Sequence, residues 1–150
     1  MTTANFMPHI VACRLAATSK KQLLQQLRIM AAAHARLCDR EALSAIVSRE
    51  KLGSTGIGNG LALPHAILDS ATLPVALLAT LEPPIDFGSP DNTQVDVMAL
   101  VLGSGQDSNG YLSTVNAVSR ILHQRHTKLR DAKCEADIHS ALVEPQIVAA

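Results

Sequence analysis

The chain has 150 residues, 47% of them apolar and only 2% aromatic, and its thirteen basic and thirteen acidic side chains give a formal charge of zero. That length suits one domain spanning residues 1–150, with a core built from Leu, Ile, Val and Ala. The charge balance excludes a domain-wide basic field for nucleic acid and an acidic tail, and no run of about eighteen apolar residues is present to span a membrane.

In chain order, Ile10 to Leu15 is short and partly apolar and reads as an edge strand. Ser19 followed by Gln22 forms a capping-box arrangement. Leu23, Leu24, Leu27, Met30 and Ala31 then recur at helical spacing, which predicts a helix to about Leu37. Asp39 is predicted to cap a second helix with Leu43, Ile46 and Val47 on one face. That helix should stop near Leu52, because Gly53 offers the left-handed conformation common past a helix end. After a glycine-rich stretch, LALPH reads as a short strand interrupted at Pro64. Pro74 to Leu81 and Val95 to Gly103 are continuous apolar runs, as expected of central strands covered by helices on both sides. The intervening EPPIDFGSPDN is turn chemistry. Leu112, Val115, Val118, Ile121 and Leu122 mark a further helix, and two short helices are predicted around Thr127 to Ala132 and Ala136 to Val143. Helices, sheet and helices together predict one α/β sandwich without internal repeat or linker.

Cys13, Cys38 and Cys134 are odd in number and widely spaced, which argues against a disulfide framework or a zinc site. Small packing residues is their expected role. The opening residues lack a basic region followed by a long apolar run, so no signal peptide is expected, and a cytoplasmic protein is.

The stretch GSTGIGNGLALPHA, Gly53 to Ala66, concentrates backbone freedom ahead of His65. A dinucleotide fingerprint needs its glycines after a strand and opening a helix; here the order is reversed and the spacing differs. A Walker loop needs a terminal Gly-Lys-Ser/Thr, which is absent. Two readings stay open on the residues alone. One is a long turn into a strand with an ordinary histidine. The other is a backbone that points several N–H groups at an anion, with Ser54 and Thr55 adding hydroxyls and Arg49 a guanidinium. A phosphoryl group carried on the His65 imidazole would use that set.

SREKLGSTGIGNGLALPHA (Ser48 to Ala66) resembles the signature of the type 2 enzyme IIA domains of the bacterial phosphoenolpyruvate-dependent phosphotransferase system. REKLGSTGIGNG is similar to the nitrogen-regulatory branch in particular. SKKQLLQQL, PIDFGSPDNTQVDVMALVL and LRDAKCEADIHSAL resemble the family's first helix, central strands and closing helices, so most of the chain is covered. The resemblance implies a three-layer sandwich, a mixed sheet of about five strands with helices on both faces. It implies that His65 accepts a phosphoryl group from a histidine-containing phosphocarrier protein, itself charged by enzyme I, and that Arg49 steadies the phosphoryl oxygens. Ser54, Thr55, Gly56, Gly58, Asn59 and Gly60 match the segment lining the pocket. No cofactor and no metal are implied.

The family's usual second histidine, opening the helix after the last central strand, is Tyr111 here, and Ala66 stands where the family often has Gly. A phenol donates a hydrogen bond but stays neutral near pH 7. The implied output is regulatory, through protein targets such as a transporter or sensor kinase. Two alternatives stand beside it: a binding module with weakened or lost phosphotransfer, and a sugar-specific IIA component acting in trans. His123 and His126, three apart, are read as a solvated helix face, while His9, His34 and His139 show no partner in the sequence.

Overall fold

The computed structural model describes residues 6–35, 37–69, 71 and 74–143. Strand β1 (Ile10–Leu15) is followed by helices α1 (Lys20–Ala35) and α2 (Asp39–Leu52). Three short strands come next, β2 (Gly56–Gly58), β3 (Leu61–Ala62) and β4 (His65–Leu68), then the long strands β5 (Val75–Ile85) and β6 (Val95–Ser104). Helices α3 (Ser108–Asp131) and α4 (Glu135–Val143) complete the order.

The sheet runs β1-β5-β6-β3-β2, with β4 paired to β6 beyond β3. It is mixed: β5 and β6 are antiparallel, whereas β1 on β5 and both β3 and β4 on β6 are parallel. The expected sheet of about five strands has six because the glycine-rich stretch contributes short ones.

Alternation along β5 to Leu81 and along β6 from Val97 divides the core in two. Leu77, Ala79, Met98, Leu100 and Leu102 pack with Leu23 and Leu27 of α1 and Ile46 of α2. Ala76, Leu78, Val97, Ala99 and Val101 face the other way, against Val118, Ile121 and Leu122 of α3 and Ile138 and Leu142 of α4. Each fully buried leucine contributes about 1.5–3 kcal/mol, and cover on both faces is why these strands read as unbroken apolar runs.

Several local expectations are corrected. Ser19 Oγ accepts the Gln22 N–H at 3.1 Å, as a cap should, but Gln22 Oε1 returns to the N–H of Thr18 at 2.6 Å, one residue early for a capping box. The N-cap of α2 is Cys38, without a side-chain bond, and Asp39 is the first helical residue. There its charge favours the positive helix end, and it pairs with Arg28 at 2.7 Å. Gly53 follows α2 at φ 155° and ψ 152°, outside the left-handed helical region. Strand β5 continues through Glu82, Pro83 and Pro84 to Ile85, which pairs with Val95 after a register shift. The exposed prolines lie in the shifted segment, where no ladder N–H is required of them. Helix α3 is one element of 24 residues capped by Asp107, which accepts the Gly110 N–H. Its last turn absorbs most of the short helix expected near Thr127, and Leu112 is exposed while Tyr111 takes the buried position. Cys38 and Cys134 are exposed rather than packed, in the connections before α2 and α4, and Cys13 is half-buried. Among the described residues no helix is long and apolar enough to cross a membrane.

Candidate functional site

Strands β3 and β4 lie end to end along β6, one beside Val97 and Met98 and the other beside Val101 to Ser104. Leu63 and Pro64 form the break between them. Pro64 has no N–H to give, but its carbonyl accepts the Val101 N–H at 3.0 Å. His65 therefore opens β4, half-exposed, while the neighbouring Ala66 is buried.

The His65 ring is oriented by its own backbone. Nδ1 lies 2.7 Å from the Leu63 carbonyl oxygen. A carbonyl only accepts, so in the neutral ring Nδ1 carries the proton and Nε2 keeps its lone pair. Leu63 is held in turn, its N–H donating to the Thr55 carbonyl at 3.0 Å.

Tyr111, in the first turn of α3, approaches from the side. Its ring centroid is 6.4 Å from that of His65, with the planes tilted by 38°. Gly103 on β6 makes this possible, because a Cβ there would overlap the Tyr111 ring. Burial pushes the Tyr111 phenol above its ordinary value, and the nearby Arg49 cation opposes that shift. The hydroxyl is thus a neutral donor near pH 7. Arg49, in the last turn of α2, also donates from Nη1 to the Gly53 carbonyl at 3.0 Å. Of the residues singled out in the sequence, His65 and Tyr111 are brought into ring contact, and Arg49 is near the Tyr111 phenol.

The other six lie in the connection after α2, in β2 and in the turn that follows it. Asn59 (φ 58°) and Gly60 (φ 77°) are the central pair of a two-residue hairpin joining β2 to β3, both at the positive φ that a type I′ turn needs. The Asn59 N–H donates to Asp91 at 2.9 Å and the Gly60 N–H to Thr93 Oγ1 at 3.3 Å. Arg130 fastens the turn, donating from Nη2 to the Asn59 carbonyl at 2.8 Å and from Nε to Asp96 at 2.7 Å. Gly56 donates its N–H to Ser54 Oγ, and Ser54 donates its hydroxyl proton to the Phe87 carbonyl. The buried Thr55 donates its hydroxyl to Glu50. Gly58 lies in β2, paired with Leu61. The hydroxyls of Ser54 and Thr55 and the N–H groups of Gly56, Asn59 and Gly60 are thus all bonded within the protein.

Sequence reasoning missed the hairpin, although Asn-Gly between strand-forming residues is its strongest short-range signal. It also missed Gly103, Glu50 and Lys20. Ile67, two residues beyond His65 on β4, and Leu112, next to Tyr111 on α3, are exposed apolar side chains. Of the remaining histidines, His126 Nδ1 lies 3.2 Å from Arg130 Nη1, which donates to it. His9 Nδ1 accepts the Ala76 N–H at 3.0 Å, and its ring lies 5.8 Å from that of His34, a partner the sequence did not reveal.

Comparison with known proteins adds independent findings. The family model for the phosphoenolpyruvate-dependent sugar phosphotransferase system, EIIA 2, matches residues 5–144. The nitrogen regulatory protein of Bradyrhizobium diazoefficiens is 35% identical over 148 residues, 95% of either chain. The crystal structure of nitrogen regulatory protein IIA-Ntr from Neisseria meningitidis superposes with a TM-score of 0.77 at 20% identity, covering 88% of this chain and 92% of that one. Mannitol IIA in its complex with phosphorylated mannitol IIB from Escherichia coli shares the fold at a TM-score of 0.73 and 13% identity, over 88% of this chain and 92% of that one.

Proposed function

The chain belongs to the type 2 EIIA family of the phosphoenolpyruvate-dependent sugar phosphotransferase system, on its nitrogen-regulatory branch, and from that premise we propose that His65 accepts a phosphoryl group from a histidine phosphocarrier protein and that regulatory partners read the result. The observation that carries this reading is the bond from His65 Nδ1–H to the Leu63 carbonyl, which leaves Nε2 as the nucleophile. Its lone pair attacks phosphorus on the carrier's phosphohistidine as the carrier's N–P bond breaks and that electron pair returns to the carrier's imidazole. The His65 ring becomes positive during the transfer, and the Nδ1–H···O bond to Leu63 strengthens with the charge. The Arg49 guanidinium steadies the phosphoryl oxygens and the Tyr111 hydroxyl donates to one of them. Ser54, Thr55 and the Gly56-to-Gly60 hairpin hold the acceptor loop in place. The protein's contribution is positioning and charge stabilisation.

Ile67, two residues from His65 on β4, and Leu112, next to Tyr111, offer the carrier an apolar landing. Phosphorylation adds about −1.5 to −2 charge at one point of a molecule with no net charge, enough to change which partner docks. The setting is cytoplasmic, with one EIIA domain over residues 1–150 and targets such as a transporter or sensor kinase. Tyr111 favours one second reading, a binding module in which transfer is weak. Intact mass after incubation with phosphoenolpyruvate, enzyme I and the phosphocarrier separates the two. One acid-labile phosphoryl group on wild type and none on His65→Ala supports the acceptor; none on wild type, with the carrier shown to be charged, supports the binding module.

A further inference from the structure

We propose that Glu50, paired with Lys20, is a positioning residue that fixes the His65 tautomer through Thr55 and Leu63. Its consequence for phosphoryl transfer rests on the acceptor reading above; its effect on the imidazole does not.

The Glu50 side chain is only 7% exposed and lies 2.5 Å from Lys20 Nζ. A carboxylate so placed is tolerated only when paired and hydrogen-bonded. Among the described residues its remaining partners both belong to Thr55, whose hydroxyl donates to one carboxylate oxygen and whose N–H donates to the other at 3.4 Å. Lys20 is anchored separately, donating to the Phe87 carbonyl at 3.4 Å and standing 5.0 Å above the Phe87 ring. From Thr55 the chain of bonds continues inward: its carbonyl accepts the Leu63 N–H at 3.0 Å, and the Leu63 carbonyl meets Nδ1 of His65 at 2.7 Å. Each link from the start of α1 to the imidazole is therefore a direct contact.

Leu63 lies one residue beyond the β3 ladder, and its N–H bond to the Thr55 carbonyl extends the pairing of Gly56 with Ala62. The β3 ladder ends at Ala62 and β4 begins at His65. Following Leu63 is a proline, whose nitrogen has no proton to bond to β6. Thr55 holds the N–H side of Leu63, Glu50 holds Thr55, and the Leu63 backbone carries that constraint on to the carbonyl that meets the imidazole. With Thr55 released, the Leu63 carbonyl swings off the ring, and the imidazole proton is free to move to Nε2, which blocks the nucleophile.

Long-range 1H–15N correlation spectra of the unphosphorylated full-length protein, taken where the imidazole is neutral, report the protonated nitrogen directly. Wild type should show His65 protonated at Nδ1 alone. Glu50→Ala should show a mixture with Nε2–H, and its phosphoryl uptake should slow on the order of 10- to 100-fold. Thr55→Val removes the hydroxyl within a similar volume and should behave likewise, whereas Thr55→Ser keeps the bond and should retain the wild-type ring and rate. If Glu50→Ala does not fold, the Thr55 pair decides. An unchanged Nδ1–H tautomer in Thr55→Val, or identical ring spectra for the valine and serine variants, overturns the proposal. Failure of wild type to take a phosphoryl group would instead sink the acceptor reading and leave the ring spectra still decisive for Glu50.

Discussion

Tyr111 is the only tyrosine in a chain without tryptophan, so the phenol's ultraviolet titration belongs to one residue. Burial raises its midpoint above 10.0 and the Arg49 cation holds it down. Arg49→Gln should therefore move that midpoint further up, and an unchanged titration would show that Arg49 does not face the phenol. On the proposed reading, Tyr111→Phe removes one hydrogen-bond donor from the phosphoryl oxygens while keeping the ring. A net bond of about 1 kcal/mol corresponds to roughly a fivefold slower transfer in rapid-quench measurements; no change would assign Tyr111 to packing alone. The meeting of Tyr111 with His65 could be expected from the sequence because both sit in, or in register with, a recognisable motif. The pairing of Lys20 with Glu50 could not, since an ion pair between the start of one helix and the end of the next leaves no local pattern. The free N–H donors expected of the glycine stretch were equally out of reach, as Asp91, Thr93 and Ser54 bond several of them from outside or within the loop.

At the level of elements, the break at Pro64 does the most for the site. It stops one strand and starts another along the same edge of β6, which leaves the Leu63 carbonyl free to meet the imidazole. The sequence announced this break through proline. It did not announce that β5 runs on through Pro83 and Pro84, because prolines in a shifted, exposed segment look like a turn. Nor did it separate the two roles of glycine here. Gly60 serves a turn with positive φ, whereas Gly103 serves the close approach of α3 to β6. Gly103→Ala drives a methyl group into the Tyr111 ring and should destabilise the fold by about 1–3 kcal/mol, read as a lower urea midpoint. It should also disturb the ring contact with His65. A variant with wild-type stability and wild-type phenol titration would contradict the packing described for this pair.

For the molecule as a whole, apolar runs on two long strands made the layered architecture legible, since continuous hydrophobicity demands cover on both faces. Which helices cover which face was not legible, because that depends on strand order. The same architecture sets a pH dependence. Burial lowers the His9 pKa from 6.5, with a smaller contribution from the His34 charge. The unfolded chain then binds more protons than the folded one, so this contribution to stability is complete above pH 6.5 and is lost as pH falls through the folded value. His126 adds in the same direction, through burial first and then the Arg130 cation. Urea midpoints should decline from pH 7 into the acid range, and His9→Asn, which keeps an acceptor for the Ala76 N–H but does not titrate, should flatten the decline. An equal slope in the variant would remove His9 from the explanation. The proposed phosphorylation would act on this same neutral molecule, and the account of it depends on which nitrogen takes the phosphoryl group. The most direct measurement is a long-range 1H–15N correlation spectrum of the 15N-labelled protein after charging by the phosphocarrier. Phosphorus coupled to Nε2 of His65, with the proton still on Nδ1, is the predicted result; phosphorus on Nδ1, or on another residue, would contradict it.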